Sequence, residues 1–359
     1  MRAEEMPRSW RDPRSVSLVG MGTALPGPPV STAELLERLH SCFAIDVRRQ
    51  GTALAARLGI RTRHLARDLA LRHEAPRRGD SNAELAARAL QHALRESGCR
   101  PNDLSYLIAH TTTPGRLLPA NIARVADLIG YQGPFVELRQ ACTGFANALV
   151  FAMGLLHTPG CGPVAIVGSE TGSVFFDPHR ASADSGQLVN LLQMGDGAAA
   201  CVLAPALGAS AARVSSVFHG YSGFGLEPGF SLAYGGSDVP PESSFPEFVH
   251  DYAHVAQHGA NLFVDGLRAL RELGIDYGGV DYIIPHQANG NMGRLLAART
   301  NLDEARVFVN ADRVGNTGSA AIWLALADLR TRLRAGDSVC VLGAEATKYL
   351  FGGFEYVHT

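Results

Sequence analysis

The stretch 134–156 constrains this chain most. Phe135, Val136 and Leu138 are strand formers that follow a Gly133-Pro134 turn. Residues 143–156 are rich in Ala, Leu, Phe and Met and predict an apolar helix. Cys142 sits at the changeover. A thiol there faces a helix N-terminus, where unpaired N–H groups and the positive end of the dipole favour a thiolate. A buried cysteine packing as a small hydrophobe is the alternative for any single Cys.

The same handover from strand to helix recurs. Strands are predicted over 16–19, 104–110, 164–168, 214–219, 280–285, 307–310 and 338–343. Helices are predicted from Ser31 to about 42, with Glu34 at capping-box spacing, and over 82–97, 119–129, 247–273, 291–299 and 320–334. Such alternation predicts an α/β sheet covered by helices on both faces. Two stretches, 169–192 and 220–246, read as irregular segments covering a pocket.

At 359 residues the chain can bury one large core or two fused ones, and 46% apolar with 18% charged residues makes it globular. A net charge of −2 argues against a general nucleic-acid binder. Six scattered cysteines, none in C-x-x-C, carry no zinc or redox motif and suggest free thiols in a reducing compartment, which points to the cytoplasm. Residues 1–14 are polar and lack the apolar core of a signal peptide, so a loose tail is expected. No run of 18 apolar residues exists, so no membrane span is expected.

Gly20-Met-Gly22 lacks the third glycine and the following helix of a dinucleotide site, and reads as a tight turn. Segment 48–78 holds nine arginines against Asp68 and Glu74. It is a solvated face or a dock for a phosphate or an acidic partner. His250, His254 and His258 recur every four residues on a predicted helix, and without a completing partner they read as a polar face rather than a metal site. His286 follows a buried strand, where open α/β sheets place their sites. Asn316 tops a Gly315–Gly318 turn. Taken singly, these two are a loop histidine and a turn residue. With Cys142 they make one nucleophile and two hydrogen-bond donors.

Four motifs, in order, carry a resemblance: Ala141-Cys142-Thr-Gly-Phe145, Met194-Gly-Asp-Gly-Ala198, Pro285-His286-Gln-Ala-Asn289 and Gly315-Asn316-Thr317. The chain resembles a β-ketoacyl-acyl-carrier-protein synthase III from about Val16 onward, and Gly59-Ile60-Arg61-Thr-Arg63-His64 is similar to an early segment of that family. The resemblance implies the thiolase fold: five αβαβα layers in two similar halves, working as a homodimer. It divides the chain into the tail at 1–14, a half at 15–205 with the nucleophile, and a half at 206–359 with His286 and Asn316.

The implied chemistry loads an acyl thioester on Cys142 and condenses it, with loss of CO2, with a malonyl-type thioester. His286 and Asn316 donate to the enolate oxygen. The carrier is coenzyme A or the phosphopantetheine of an acyl carrier protein, with no resident cofactor or metal. Candidate substrate- or carrier-binding residues are Arg57, Arg61, Arg63, Asn289 and Glu345. The chain departs from the family in three places. Ala53 stands where housekeeping members have an adenine-stacking Trp, and Asn291 where they have a docking Arg. Gly343-Ala-Glu345 replaces a Gly-rich loop, which brings a carboxylate toward the site as a base or as a surface group. A dedicated carrier protein held by the 48–78 arginines is therefore expected over coenzyme A. Two rival functions are transfer of the acyl group to a thiol, hydroxyl or amine without condensation, and a non-enzymatic partner subunit.

Overall fold

A computed structural model describes residues 8–68, 77–208, 211–237, 246–300 and 302–359. Part of the arginine segment, 69–76, and part of the expected lid, 238–245, lie outside the described residues.

In chain order the elements are β1 (Ser9–Ala24), β2 (Val30–Ser31), α1 (Thr32–Phe43), α2 (Arg48–Leu58), β3 (Thr62–Arg63), α3 (Asn82–Ser97), β4 (Tyr106–His110), α4 (Asn121–Ile129), β5 (Phe135–Leu138) and α5 (Gly144–Leu156). Then come β6 (Val164–Glu170), α6 (Pro178–Ala183), α7 (Ser185–Gln193), β7 (Gly197–Ala204), β8 (Arg213–Tyr221), β9 (Phe230–Ala233), β10 (Glu247–His250) and α8 (Tyr252–Glu272). The chain ends with β11 (Tyr282–Pro285), α9 (Met292–Thr300), α10 (Ala311–Val314), α11 (Ala321–Arg330), β12 (Ser338–Glu345) and β13 (Leu350–Val357).

Nine strands form one ladder, β11-β12-β13-β8-β1-β7-β6-β4-β5. Its two halves are joined by β1. The first part of β1 pairs with β8 and the second part with β7, with register breaks at Asp12/Ser15 and Leu18/Gly20. Period-two alternation sorts the strand side chains onto two faces. Ile108, Ile166, Cys201 and Leu203 point inward, with Val341 and Tyr356 of the other half, onto α5 and α11. Leu107, Val167, Ala200 and Val202 point outward onto α3 and α4. Ile283, Cys340, Leu342 and Phe351 point outward onto α8 and α9. The layers are therefore helix, sheet, helix, sheet, helix, as the resemblance implies. The central layer explains the apolar character of most of α5: Phe145, Ala148, Leu149, Ala152 and Met153 are all fully buried.

Four sequence expectations change here. The tail ends earlier than Arg14, because Ser9–Asp12 pair with β8 as part of β1, and Arg14 folds back onto the buried Asp12 at 2.6 Å. Gly20 and Gly22 lie inside β1 rather than in a turn. A Cβ at Gly22 would meet the Ala89 carbonyl at 2.1 Å, so these glycines let α3 rest directly on the strand. The 307–310 segment makes a single bridge, Ile283 to Val307, and no strand. Residues 169–192 contain α6 and α7, each capped by an Asp side chain, Asp177 and Asp184.

Candidate active site

Cys142 lies on the turn between β5 and α5, where the chain leaves the sheet for the central layer. Neighbouring side chains hold the turn in place. Gln140 donates to Thr143 Oγ1 at 2.9 Å and accepts from Asn147 Nδ2 at 2.9 Å. His110 packs beneath it so closely that a Cβ at Gly144 would sit 2.5 Å from the ring.

His286 follows β11, and its N–H donates to the Leu342 carbonyl of β12 at 2.7 Å. Gln287, fully buried, donates to the Pro285 carbonyl at 2.8 Å and accepts from Asn310 N–H at 2.9 Å, which fixes the loop that carries the imidazole. Burial drives the His286 pKa down to about 4, so the ring is neutral, and its Nδ1 has no hydrogen-bond partner among the described residues.

Asn316 is clamped by the Met194-Gly195 segment. Its N–H donates to the Gln193 carbonyl at 2.8 Å and its own carbonyl accepts from Gly195 N–H at 3.0 Å. A Cβ at Gly195 would meet the Val314 carbonyl at 2.0 Å, so the close crossing requires glycine. Asp196 accepts from the N–H groups of Ala66 and Ser173 at 2.7 and 3.1 Å, which secures the far side of the crossing. The Met194–Ala198 motif is thus a structural clamp on Asn316.

Cys142, His286 and Asn316, three segments far apart in sequence, line one cavity of about 440 Å³. Asn289 and Glu345 line it too, with Phe230, Phe248, Phe263, Met292 and Leu296 supplying apolar wall. Glu345 is 2% exposed. Its Oε2 accepts from Thr143 N–H at 2.8 Å and from Thr143 Oγ1 at 2.7 Å, and its Oε1 accepts from Thr347 Oγ1. The carboxylate is therefore a buried group at the start of α5, not a surface one. The expectation that α5 favours a thiolate is corrected here. Burial pushes the Cys142 thiol well above its ordinary value, and the charges of Glu345 and Glu170 push in the same direction.

Glu170 and Thr112 also line the cavity, and the sequence reading missed both. Glu170 ends β6 and accepts from Thr112 N–H at 3.0 Å and Thr113 Oγ1 at 2.6 Å on one oxygen. Its other oxygen accepts from Ser319 N–H at 3.1 Å and Ser319 Oγ at 2.7 Å. It ties the loop after β4 to the turn that carries Asn316. The available signal was a carboxylate closing an otherwise apolar strand at its carboxyl end.

The arginines divide. Arg63 is fully buried and donates to the carbonyls of Val30 and Leu192 at 3.3 and 2.7 Å and to Thr32 Oγ1 at 3.0 Å. It is a structural pin, which corrects its reading as a carrier-binding residue. Arg67 is buried as well and donates to the Val174 carbonyl at 2.8 Å. Arg61 is exposed and paired with Asp312, and Arg57 is exposed. Neither Arg57 nor Arg61 reaches the cavity wall. Asn291 donates to the Arg57 carbonyl at 2.7 Å and joins the start of α9 to the end of α2. His250 is the last residue of β10, not a helix residue; it bonds Asn190 Oδ1 at 3.1 Å, and burial lowers its pKa to about 4. Among the described residues no group of three or more metal-ligating side chains is gathered.

The family model for 3-oxoacyl-[acyl-carrier-protein] synthase III matches residues 136–222, and the model for the C-terminal part of that family matches 270–347. The chain is 30% identical over 348 residues to a β-ketoacyl-[acyl-carrier-protein] synthase III of Desulfitobacterium hafniense, covering 92% of this chain and 94% of that one. Among solved structures it is similar to AbyA1, a tetronic acid condensing enzyme, at 30% identity and a TM-score of 0.82, covering 95% and 99% of the two chains. It is also similar to the priming β-ketosynthase of the R1128 polyketide pathway, at 25% identity and a TM-score of 0.77, covering 100% and 98%.

Proposed function

The chain belongs to the β-ketoacyl-acyl-carrier-protein synthase III family of acyl-transferring condensing enzymes, and from that premise we propose that Cys142, His286 and Asn316 are its catalytic residues. The observation that carries this is their convergence on one largely apolar cavity.

In the first half-reaction the Cys142 sulfur attacks an acyl thioester. The carrier sulfur leaves and takes up the thiol proton, so charge balances over the exchange. In the second, a malonyl-type thioester loses CO2, and the electron pair of the broken C–C bond becomes an enolate. Neutral His286 and the Asn316 amide donate to its oxygen. The enolate carbon attacks the acyl carbonyl, and Cys142 leaves as thiolate and is reprotonated by the one solvent proton that the decarboxylative condensation consumes. The product is a β-ketoacyl thioester. The apolar wall suits an uncharged acyl group, and the similarity to enzymes of polyketide and tetronic acid assembly supports a role in polyketide or fatty-acid metabolism.

On this reading the half at 15–205 supplies the nucleophile and the half at 206–359 the two donors. The carrier is an acyl carrier protein or coenzyme A, no resident cofactor takes part, and the exposed Arg57 and Arg61 contribute to docking. The enzyme works in the cytoplasm, in keeping with its free cysteines, and among the described residues no helix is long and apolar enough to cross a membrane. It works as a homodimer. The edge strand β5, with Phe135 41% exposed, offers a surface for this.

Transfer of the acyl group without condensation is the second reading. The Asn316 donor favours condensation, since transfer needs only a nucleophile and a proton acceptor. Incubation with an acyl thioester and malonyl thioesters separates the two. Release of CO2 with a β-ketoacyl product supports condensation, and acyl transfer with the malonyl group intact supports the alternative.

A further inference from the structure

Glu345 stands where the family has a Gly-rich loop, and nothing in the reaction just described uses it. We propose that Glu345 is a tuning residue for the nucleophile: its carboxylate occupies the free amide at the start of α5, beside Cys142, and holds the sulfur as a thiol while the cavity is empty. The inference rests on the reading of Cys142 as the nucleophile.

Three observations support it. First, the N–H of Thr143 is one of the unpaired amides that give a helix start its affinity for anions. Glu345 Oε2 takes that N–H at 2.8 Å and the Thr143 hydroxyl at 2.7 Å. The site that would stabilise a thiolate is filled by another anion. Second, every hydrogen-bond partner found for Glu345 among the described residues is neutral, and no ion pair there cancels its charge. Third, the groups around Cys142 supply little positive charge. Glu170 faces it from the end of β6. His286, on the loop after β11, and His110, beneath the turn, are neutral, with pKa values lowered by burial to about 4 and about 3. Across the cavity, His250 is neutral at about 4, and among the described lining residues Arg299 is the one permanent cation. The raised Cys142 pKa agrees with this arrangement.

Chemically, a resting thiol resists alkylation and oxidation. Around neutral pH its proton is then given up in thioester exchange, passing to the departing carrier sulfur. Sulfur activation is thereby linked to arrival of the carrier.

The test is the pH dependence of iodoacetamide labelling at Cys142, read by peptide mass spectrometry in the full chain. Glu345→Gln removes the charge and keeps an oxygen for Thr143 N–H. The labelling midpoint is expected to fall by about one pH unit or more, which is about tenfold in thiolate at a fixed pH below it. Glu345→Asp keeps the charge and is expected to stay closer to wild type. If the Gln variant does not fold, Glu345→Ala is read in the same way with the same expectation. An unshifted midpoint in a folded neutral variant overturns the proposal, as does an Asp variant that shifts as far as Gln. The assay needs no substrate. A Cys142 that shifts as expected but never takes an acyl group would leave the effect of Glu345 on the thiol standing and remove the nucleophile reading.

Discussion

Asn316 Oδ1 accepts the backbone N–H of Gly318 at 3.0 Å, which leaves Nδ2 as the end of that amide free to donate. The contact sets the orientation of the side chain, and Gly318 can make it because its φ of +50° is accessible to glycine. Asn316→Ala is expected to lower the rate of condensation by about 10²–10³-fold, the usual cost of one oxyanion donor. Acylation of Cys142 should change little. Single-turnover acyl loading beside steady-state condensation checks both halves of the prediction.

Acid stability follows from four histidines, His110 buried and His219, His250 and His286 half-buried, whose charged form the fold desolvates. His110 is held at about 3, and His219, His250 and His286 at about 4, against an ordinary value of 6.5. Between the two values the unfolded chain binds more protons than the folded one, so stability is full above about 6.5 and is lost as pH falls toward 4. Each such histidine contributes at most about 1.4 kcal/mol per pH unit. Asp196, raised to about 6 by burial, works in the opposite sense over pH 3.8–6. The histidines outnumber it, so the melting temperature is expected to fall steadily from pH 7 to pH 5, as thermal denaturation at a series of pH values will measure. Condensation should hold through neutral pH and fail as His286 protonates near 4.

The two kinds of arginine predict opposite phenotypes. Arg63→Ala strips three acceptors of a buried donor and is expected to lower thermal stability or soluble yield. Arg57→Ala lies on the surface and is expected to leave the melting temperature within a degree or two. If it docks an acidic carrier, it raises KM for that carrier, with a smaller effect at high salt. Melting curves beside carrier titrations at two salt concentrations distinguish these outcomes.

Gly22→Ala drives a methyl group into the Ala89 carbonyl and the Ala93 amide, at 2.1 and 2.5 Å. Both contacts are backbone, so α3 must shift off β1. The expected cost is about 1–3 kcal/mol, typical of overpacking, and urea denaturation reads it directly.

Some of this was legible in the residues. The helix over Asn82–Ser97 matched its predicted ends, because Ser81 and Glu84 form a reciprocal capping box and Gly98 closes the helix. The cavity residues Cys142, His286 and Asn316 were legible because each sits where a strand or turn hands over to a helix. Other features depend on partners distant in sequence. Nothing local distinguishes Arg63, whose acceptors come from β2, α1 and the end of α7, from its exposed neighbours. Glycines that read as a turn are strand residues because a helix lies on them. Glu345 was noticed as a departure, but its place on Thr143 arises only when β12 packs beside α5 across the two half-sheets.

The central claim is that Cys142 carries the acyl group. Intact-protein and peptide mass spectrometry after incubation with a panel of acyl thioesters tests it most directly. The account predicts an added acyl mass on the peptide containing Cys142 in the wild type and none in Cys142→Ala. A wild type that takes up no acyl group from any thioester, or a Cys142→Ala variant that still does, would contradict it.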